Sequence, residues 1–273
     1  LISMNAFQPI QSLPPNQQIL PILFVYSVKT NEQGKFLRIK ARLTMRGDLQ
    51  KIRSPGNDSY APVFNFTSLR ILLSLYCSNS NVKWHQMDIS SAYITAPIDK
   101  PTYIRLPRGC PSPWPHNTTI QVLKALYGGD TSGRAFYKDY VLFHHKLGFT
   151  SGTHEQCFLQ LHRNNQFIKI LLYVDDSCIV SQGDEILQWY VTQIRTKYNI
   201  KISPLHHFLG INFTINHGHS IILDQHLHII KILKLFNMQN CNASSVPVLH
   251  GQVPTKNDIP PINSIQHKSS SSF

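Results

Sequence analysis

Three aspartates are the residues most able to do chemistry: Asp88 in "WHQMDIS", and the adjacent pair Asp175-Asp176 in "IKILLYVDDSCIVSQG". The pair lies between two apolar runs, 168–174 and 177–181, which read as the two strands of a hairpin. Two like charges about 4 Å apart repel by roughly 4 kcal/mol at an effective dielectric near 20. A chain that places them beside a buried strand therefore calls for something cationic there. Asp88 ends a strand whose alternate positions Val82 and Trp84 are apolar. If that strand neighbours the hairpin, three carboxylates meet at the rim of one sheet. Hard oxygen donors of this kind suit Mg²⁺, with phosphate oxygens filling the remaining positions. Two such ions can activate a 3′ hydroxyl and stabilise a leaving pyrophosphate in an in-line displacement. The same residues also read, more plainly, as an Asp-Asp turn and an unrelated surface Asp.

The rest of the composition narrows the partner. The 273 residues suffice for one large domain or two small ones. Lys plus Arg number 26 against 14 Asp plus Glu, a formal charge of +12 in a chain with only 15% charged residues. That imbalance favours a polyanion, nucleic acid before an anionic membrane; the alternative is a merely basic soluble protein. The five cysteines form no C-x-x-C pair, which argues against a zinc site or disulfide framework and for a reducing, intracellular compartment. His144-His145, His206-His207 and His217/His219 lack a metal-binding pattern and read as surface residues. No apolar run is long enough for a membrane helix. The N-terminus, "LISMNAFQPIQSLPPNQQ", does not begin with Met and has no signal-peptide pattern, so the chain reads as a piece of something longer.

The positioning elements follow from periodicity. Residues 1–20 read as a loose lead-in. Residues 22–47 read as two strands around "NEQG", the second arm carrying Lys35, Arg38, Lys40, Arg42 and Arg46. A helix over 67–79 starts with Thr67 as N-cap candidate and puts Leu69, Leu72, Leu73 and Tyr76 on one face. Residues 82–94 are strand-like, and the Pro-rich 101–115 cannot be a central strand throughout. Phe136, Tyr140, Phe143 and Leu147 mark a helix over 132–149, closed by Gly148. A second amphipathic helix is expected over 184–200, a hairpin around "NHGH", a helix with a basic face over 225–238, and a disordered tail from 249. Irregular alternation with mostly hairpin-paired strands gives an α+β fold, an antiparallel sheet backed by helices.

Several segments, in order, resemble the reverse transcriptase of copia-type LTR retrotransposons: "KARLTMRGDLQ", "YAPVFNFTSLRILLSL", "WHQMDISSAYITAPI", "PTYIRLPRG", "LYVDDSCIV", "HFLGINF" and "NMQNCNASSVPV". The similarity runs from about 21 to 248 and implies one fingers-and-palm domain of a right-hand polymerase with a ferredoxin-like palm sheet. It implies RNA-directed DNA polymerase activity on an RNA template with a DNA or RNA primer and dNTP. Asp88, Asp175 and Asp176 would be the catalytic residues and would hold two Mg²⁺ ions, or Mn²⁺ in their place. Tyr93 falls where the family packs an aromatic under the incoming sugar. Lys40, Arg42 and Arg46 lie on the finger arm expected to meet the triphosphate, and Thr131 stands in the nucleotide-contacting segment. Tyr173, Phe208, Leu209 and Gly210 would lie near the primer or template. The resemblance further implies a cytoplasmic particle or the nucleus as location, and ribonuclease H and integrase regions in a parent polyprotein.

Departures from the family pattern bear on activity. "LYGGDTSGR" replaces a Leu-Tyr-Gly-Leu-Lys-Gln segment, so Gly129, Asp130 and Thr131 stand for Leu-Lys-Gln, with a carboxylate where a cation is expected. Ser203-Pro204 replaces a Gly-Glu turn. The chain therefore reads as a truncated, partly degenerate copy, either still a polymerase or a remnant that binds nucleic acid with little turnover.

Overall fold

In the computed structural model, the described residues are 4–30, 35–50, 59–107, 109–110, 113–115 and 117–246. The "NEQG" turn and the tail from 249 lie outside them. One compact unit ends at Gln225 and a second begins at His226.

The first unit is a mixture of α and β with several sheets. Its largest sheet has six antiparallel strands: β5 (Val82–Ile89), β8 (Thr150–Ser151), β9 (Phe158–Arg163), β10 (Gln166–Tyr173), β11 (Asp176–Gln182) and β12 (Ile200–Pro204). Their order is β12-β5-β11-β10-β9-β8. Three helices supply its cover: α1 (Phe66–Tyr76), α2 (Ser132–Lys146) and α3 (Asp184–Arg195). Neighbouring residues of a strand point to opposite faces, and both faces of β10 are covered. Phe167 meets Tyr76 of α1, ring centres 5.0 Å apart. On the other face, Ser177, cross-strand from Leu172, lies against Tyr140 of α2. Six consecutive residues of β10 are consequently buried, which is why its sequence is an apolar run and not an alternation.

A second sheet has the order β1-β7-β6-β2, formed by β1 (Phe7–Ile10), β2 (Ile19–Leu20), β6 (Pro97–Arg105) and β7 (Thr119–Lys124). The long hairpin is β3 (Ile22–Thr30) with β4 (Phe36–Met45). Its root joins the second core, where Ile22, Leu43 and Met45 are buried with Ile104, Ile120 and Leu126. Further along, β13 (His207–Phe208), β14 (Ile211–Asn216) and β15 (Ser220–Asp224) form a three-stranded sheet. The second unit contains α4 (His226–Leu235), none of whose residues is buried.

Several expectations need correction. The lead-in is not loose throughout: Phe7–Ile10 pairs with β7 and buries Ala6 and Phe7, and its Pro9 is tolerated because β1 is an edge strand. The start of α1 is capped by Asn65, whose side chain accepts from Thr67 N at 2.9 Å. Glu155 fixes this cap, accepting from Asn65 N and Ser68 Oγ at 2.8 and 3.0 Å. The Pro-rich 101–115 is, as expected, not a strand throughout: β6 ends at Arg105, and because the register slips between Pro97 and Thr102, Pro101 owes the ladder no donor. The helix expected over 184–200 ends at Arg195, and Ile200–Pro204 pairs with β5 instead. His144 is not a surface residue. It is fully buried, with Nδ1–H donating to Tyr140 O at 2.8 Å and Nε2 accepting from the Tyr190 hydroxyl at 2.9 Å. Burial holds its imidazole down at about 3.

Candidate active site

Asp88 and Asp176 are direct cross-strand partners in the β5–β11 ladder. Side chains so paired share a face with Cβ atoms roughly 5 Å apart. Asp175 belongs to the two-residue turn between Tyr173 and Asp176, and its carbonyl accepts from Ile89 N at 3.1 Å. That bond fastens the turn to the end of β5. Val174 occupies the left-handed region, φ +57, a costly conformation for a β-branched residue, of order 1–3 kcal/mol. The turn is thus held in place by the sheet around it.

The three carboxyls feel one another. Burial, then Asp175 and Asp88, pushes Asp176 up to about 6. Asp175 is also raised, mainly by burial, with Asp88 adding to the effect while Lys40 and Arg42 oppose it. Lys40 is lowered by burial and by Arg42 and Lys29 beside it, with Asp88 and Asp175 pulling the other way. The outer part of β4 therefore brings Lys40 and Arg42, two residues apart on one strand face, into the field of the aspartates. Arg46 is not gathered with them. Its guanidinium is held by Asp48, Nε–Oδ1 at 2.8 Å and Nη2–Oδ2 at 2.7 Å.

Tyr93 sits in a short 3-10 turn, Ala92–Thr95, entered through a left-handed Ser91. Its ring centre is 4.8 Å from that of Tyr127 and 6.1 Å from that of Phe136. Burial, then the charge of Asp175, raises its hydroxyl. Tyr127 in turn receives Arg42, whose guanidinium carbon lies 5.6 Å from the ring centre.

Beside the aspartates opens a cleft of about 520 Å³, whose lining includes Asp88, Asp176, Lys201, His207, Leu209 and Gly210. Lys201 is the β12 partner of Asp88, so Asp176, Asp88 and Lys201 lie side by side on three adjacent strands. Phe208 reaches this cleft but is itself 4% exposed and stacks on Phe64, rings 6.1 Å apart and 7° from parallel. Tyr173 packs edge-on against the same Phe64 ring at 5.7 Å. Both rings are occupied by packing, leaving Leu209 and Gly210 as the freer cleft lining. Thr131 lies elsewhere, lining a cavity of about 40 Å³ with Lys100, Arg134 and Lys138 at the start of α2.

The residues of "LYGGD" lock the hairpin root. Met45 N donates to Tyr127 O at 2.8 Å and Gly47 N to Gly128 O at 3.0 Å. A Cβ on Gly47 would overlap Gly128 O and come within 2.9 Å of Asp130 N, so the backbones touch where only glycine fits. Sequence reasoning passed over Tyr127 and Lys201. The first lay inside a noted motif, but its partners are remote in sequence. The second opens a segment noted only for Ser203-Pro204, and its pairing with Asp88 crosses more than a hundred residues.

The donor set suits a hard cation. It is all oxygen, two of its carboxyls are raised by burial and mutual repulsion, and its turn is pinned by backbone bonds. Among the described residues no three His, Cys, Asp or Glu side chains already close up as a ready ligating group. The three aspartates are neighbours in the fold, two by register and one in the adjoining turn.

A profile described as reverse transcriptase (RNA-dependent DNA polymerase) matches residues 5–250. The chain belongs to that family. Its similar proteins include the retrovirus-related Pol polyprotein from transposon TNT 1-94 of Nicotiana tabacum, 25% identical over 250 residues, which cover 90% of this chain and 19% of the relative. The polyprotein from transposon RE2 of Arabidopsis thaliana is 26% identical, over 86% of this chain and 16% of its own length. The transposon Ty1-NL2 Gag-Pol polyprotein of Saccharomyces cerevisiae is 30% identical over 69% of this chain and 10% of its own length. The chain spans less than a fifth of each of these polyproteins. They are of the copia type, as the sequence motifs implied. Among solved structures, a foamy viral protease-reverse transcriptase in complex with double-stranded DNA overlays with a TM-score of 0.46 at 16% identity, over 89% of this chain and 35% of that one. Reverse transcriptases generally use divalent metal ions.

Proposed function

We propose that this domain is an RNA-directed DNA polymerase that extends a primer on an RNA or DNA template by nucleotidyl transfer from dNTP. The observation that carries the reading is the register of Asp88 on Asp176, with Asp175 in the adjoining turn, inside a reverse transcriptase family match. The β3–β4 hairpin then corresponds to the fingers. The four strands β12-β5-β11-β10, visited in the order β5, α2, β10, β11, α3, β12, correspond to a ferredoxin-like palm.

Asp88, Asp175 and Asp176 would hold two Mg²⁺ ions. Bound there, such ions lower the pKa of a primer hydroxyl and neutralise the charge that builds on pyrophosphate. The chain's own residues do the rest. Lys40 and Arg42, projecting from β4 toward the aspartates, would bind the triphosphate and offset its charge. Tyr93, buttressed by Tyr127 and Phe136, would form a wall under the sugar. Leu209 and Gly210 would border the primer end, and Lys201 would balance the charge of Asp88. In the transfer the 3′ oxygen bonds to the α-phosphorus and the bond to pyrophosphate breaks, while the hydroxyl proton passes to solvent or a nearby base.

The test is primer extension on poly-rA primed with oligo-dT, with dTTP and Mg²⁺. Extension by the parent and its loss in Asp176→Asn are expected. A parent that adds no nucleotide under these conditions overturns the reading. A second reading, a nucleic-acid-binding remnant, is favoured by Asp130, a carboxylate beside the hairpin root where the resemblance implies a cation. Template-primer binding without turnover would support it, and extension lost on Asp175→Asn would refute it.

A further inference from the structure

Tyr127 stands where the two halves of the candidate nucleotide site touch. One side of its ring meets Tyr93, centres 4.8 Å apart and planes tilted by 53°. The Arg42 guanidinium carbon lies 5.6 Å from the ring centre. Its backbone is fastened to β4 as well: the carbonyl accepts from Met45 N at 2.8 Å, and the residue forms an isolated bridge with Thr44. The ring is half-buried between an aromatic wall and a cation, within the field of Asp175 and Asp88. Burial and then Asp175 raise the Tyr127 hydroxyl, and the neighbouring Arg42 opposes that rise; a guanidinium so placed is a donor within the hydroxyl oxygen's surroundings. An Arg side chain has many rotamers, and a ring and hydroxyl that hold it in one place remove that freedom before a phosphate arrives.

We propose that Tyr127 is a positioning residue that couples phosphate grip to sugar choice: its hydroxyl holds Arg42 ready for the triphosphate, and its ring sets the plane of Tyr93 under the sugar. This rests on the nucleotidyl-transfer reading above. The two functions separate by substitution. Tyr127→Phe keeps the ring and its contact with Tyr93 and removes only the hydroxyl. Tyr127→Leu removes the ring and frees both neighbours.

Primer extension on poly-rA/oligo-dT with dTTP or UTP tests this, together with a gel shift that follows the dTTP-dependent ternary complex on a chain-terminated primer. For Tyr127→Phe the KM for dTTP should rise about five- to tenfold with kcat within about twofold, the scale of one ordinary intramolecular hydrogen bond. Its dTTP/UTP preference should stay at the parent value. Tyr127→Leu should show the raised KM and also lose dTTP/UTP preference by about tenfold. Both variants should bind template-primer as the parent does, which a general loss of structure would not allow. The proposal is overturned if Tyr127→Phe leaves KM and the dTTP requirement of the ternary complex unchanged, or if Tyr127→Leu keeps the parent's sugar preference. A parent that neither extends the primer nor forms a dTTP-dependent complex brings down the function reading itself. A parent that does either, with variants indistinguishable from it, brings down only the role of Tyr127.

Discussion

Asp176→Asn should make the folded protein more stable while abolishing its chemistry. Asp176 is held at about 6 against an ordinary value of 3.8, by burial first and by Asp175 and Asp88 next. At neutral pH the carboxylate is charged in both folded and unfolded chains, and only the folded one bears the penalty. The raised value sets that penalty at no more than about 3 kcal/mol. Solvent still reaches the side chain and screens the repulsion, which leaves roughly 1–2 kcal/mol. Asparagine fills the same volume without the charge, so at pH 7.5 in metal-free buffer the variant should melt about 2–8 °C higher than the parent. The difference has a pH signature. As pH falls through about 6, Asp176 takes up a proton in the folded parent, and near 3.8 the unfolded chain follows, so the two melting curves should converge between about pH 6 and 4. Added Mg²⁺ should raise the parent's melting temperature and leave the variant's nearly unchanged. Thermal melts from pH 4 to 8, with and without Mg²⁺, read all of this. A variant that melts at or below the parent at pH 7.5, or a difference that is flat with pH, would refute the electrostatic reasoning.

Other perturbations have equally direct outcomes. A Cβ on Gly129 would lie 2.7 Å from Met45 Cε and would overlap Ser132 Oγ; Gly129→Leu should therefore cost about 1–3 kcal/mol in urea unfolding, and Met45→Ala in the same chain should recover part of that loss. Between pH 7 and 5 the neutral, buried His144 should cost the parent about 2 kcal/mol of stability, because the unfolded imidazole gains a proton near 6.5 and the folded one only near 3; urea midpoints of His144→Phe should show a flatter acid limb. Lys40→Ala should raise the KM for dTTP well above any change in Arg46→Ala, since Arg46 is already engaged by Asp48; equal effects in steady-state kinetics would contradict the assigned geometry. Template-primer affinity should fall steeply from 50 to 200 mM salt, as counterion release requires, and a flat binding curve would count against a basic groove.

What the sequence disclosed were features whose causes are local. The hairpin carrying Asp175 and Asp176 was legible because β10 is buried on both faces and its apolar run stops at charged residues. The face of α1 was legible from Leu69, Leu72 and Leu73, all buried. Its cap was not, because Asn65 competes with Thr67 and the contest is decided by Glu155, which arrives from a distant loop. The burial of His144 was equally hidden. The Tyr190 hydroxyl, carried in on α3, joins the Tyr140 carbonyl in satisfying the buried imidazole. The end of the expected helix, "YNI", fits a helix tail as well as a strand start, and the free edge of β5 draws Ile200 into the strand. The three aspartates were found by type; their adjacency was a conjecture that only pairing register could turn into a distance. For the cations of β4 and its end, neighbours separated what spacing could not: Lys40 and Arg42 lie in the field of the aspartates, and Arg46 has its own partner.

The position of β5 in the sheet has a consequence for how the chain folds. It lies between β11 and β12, both synthesised long after it, with α2 and five strands before β11 and then α3 before β12. Pairings of such high contact order are slow, because the intervening loop must be closed before any contact rewards it. During synthesis Asp88 waits as an unpaired strand end until β11, and then β12, emerge. The carboxylate pair is therefore a late product of folding, and a nascent chain released before β12 would carry Asp88 on an exposed, aggregation-prone edge.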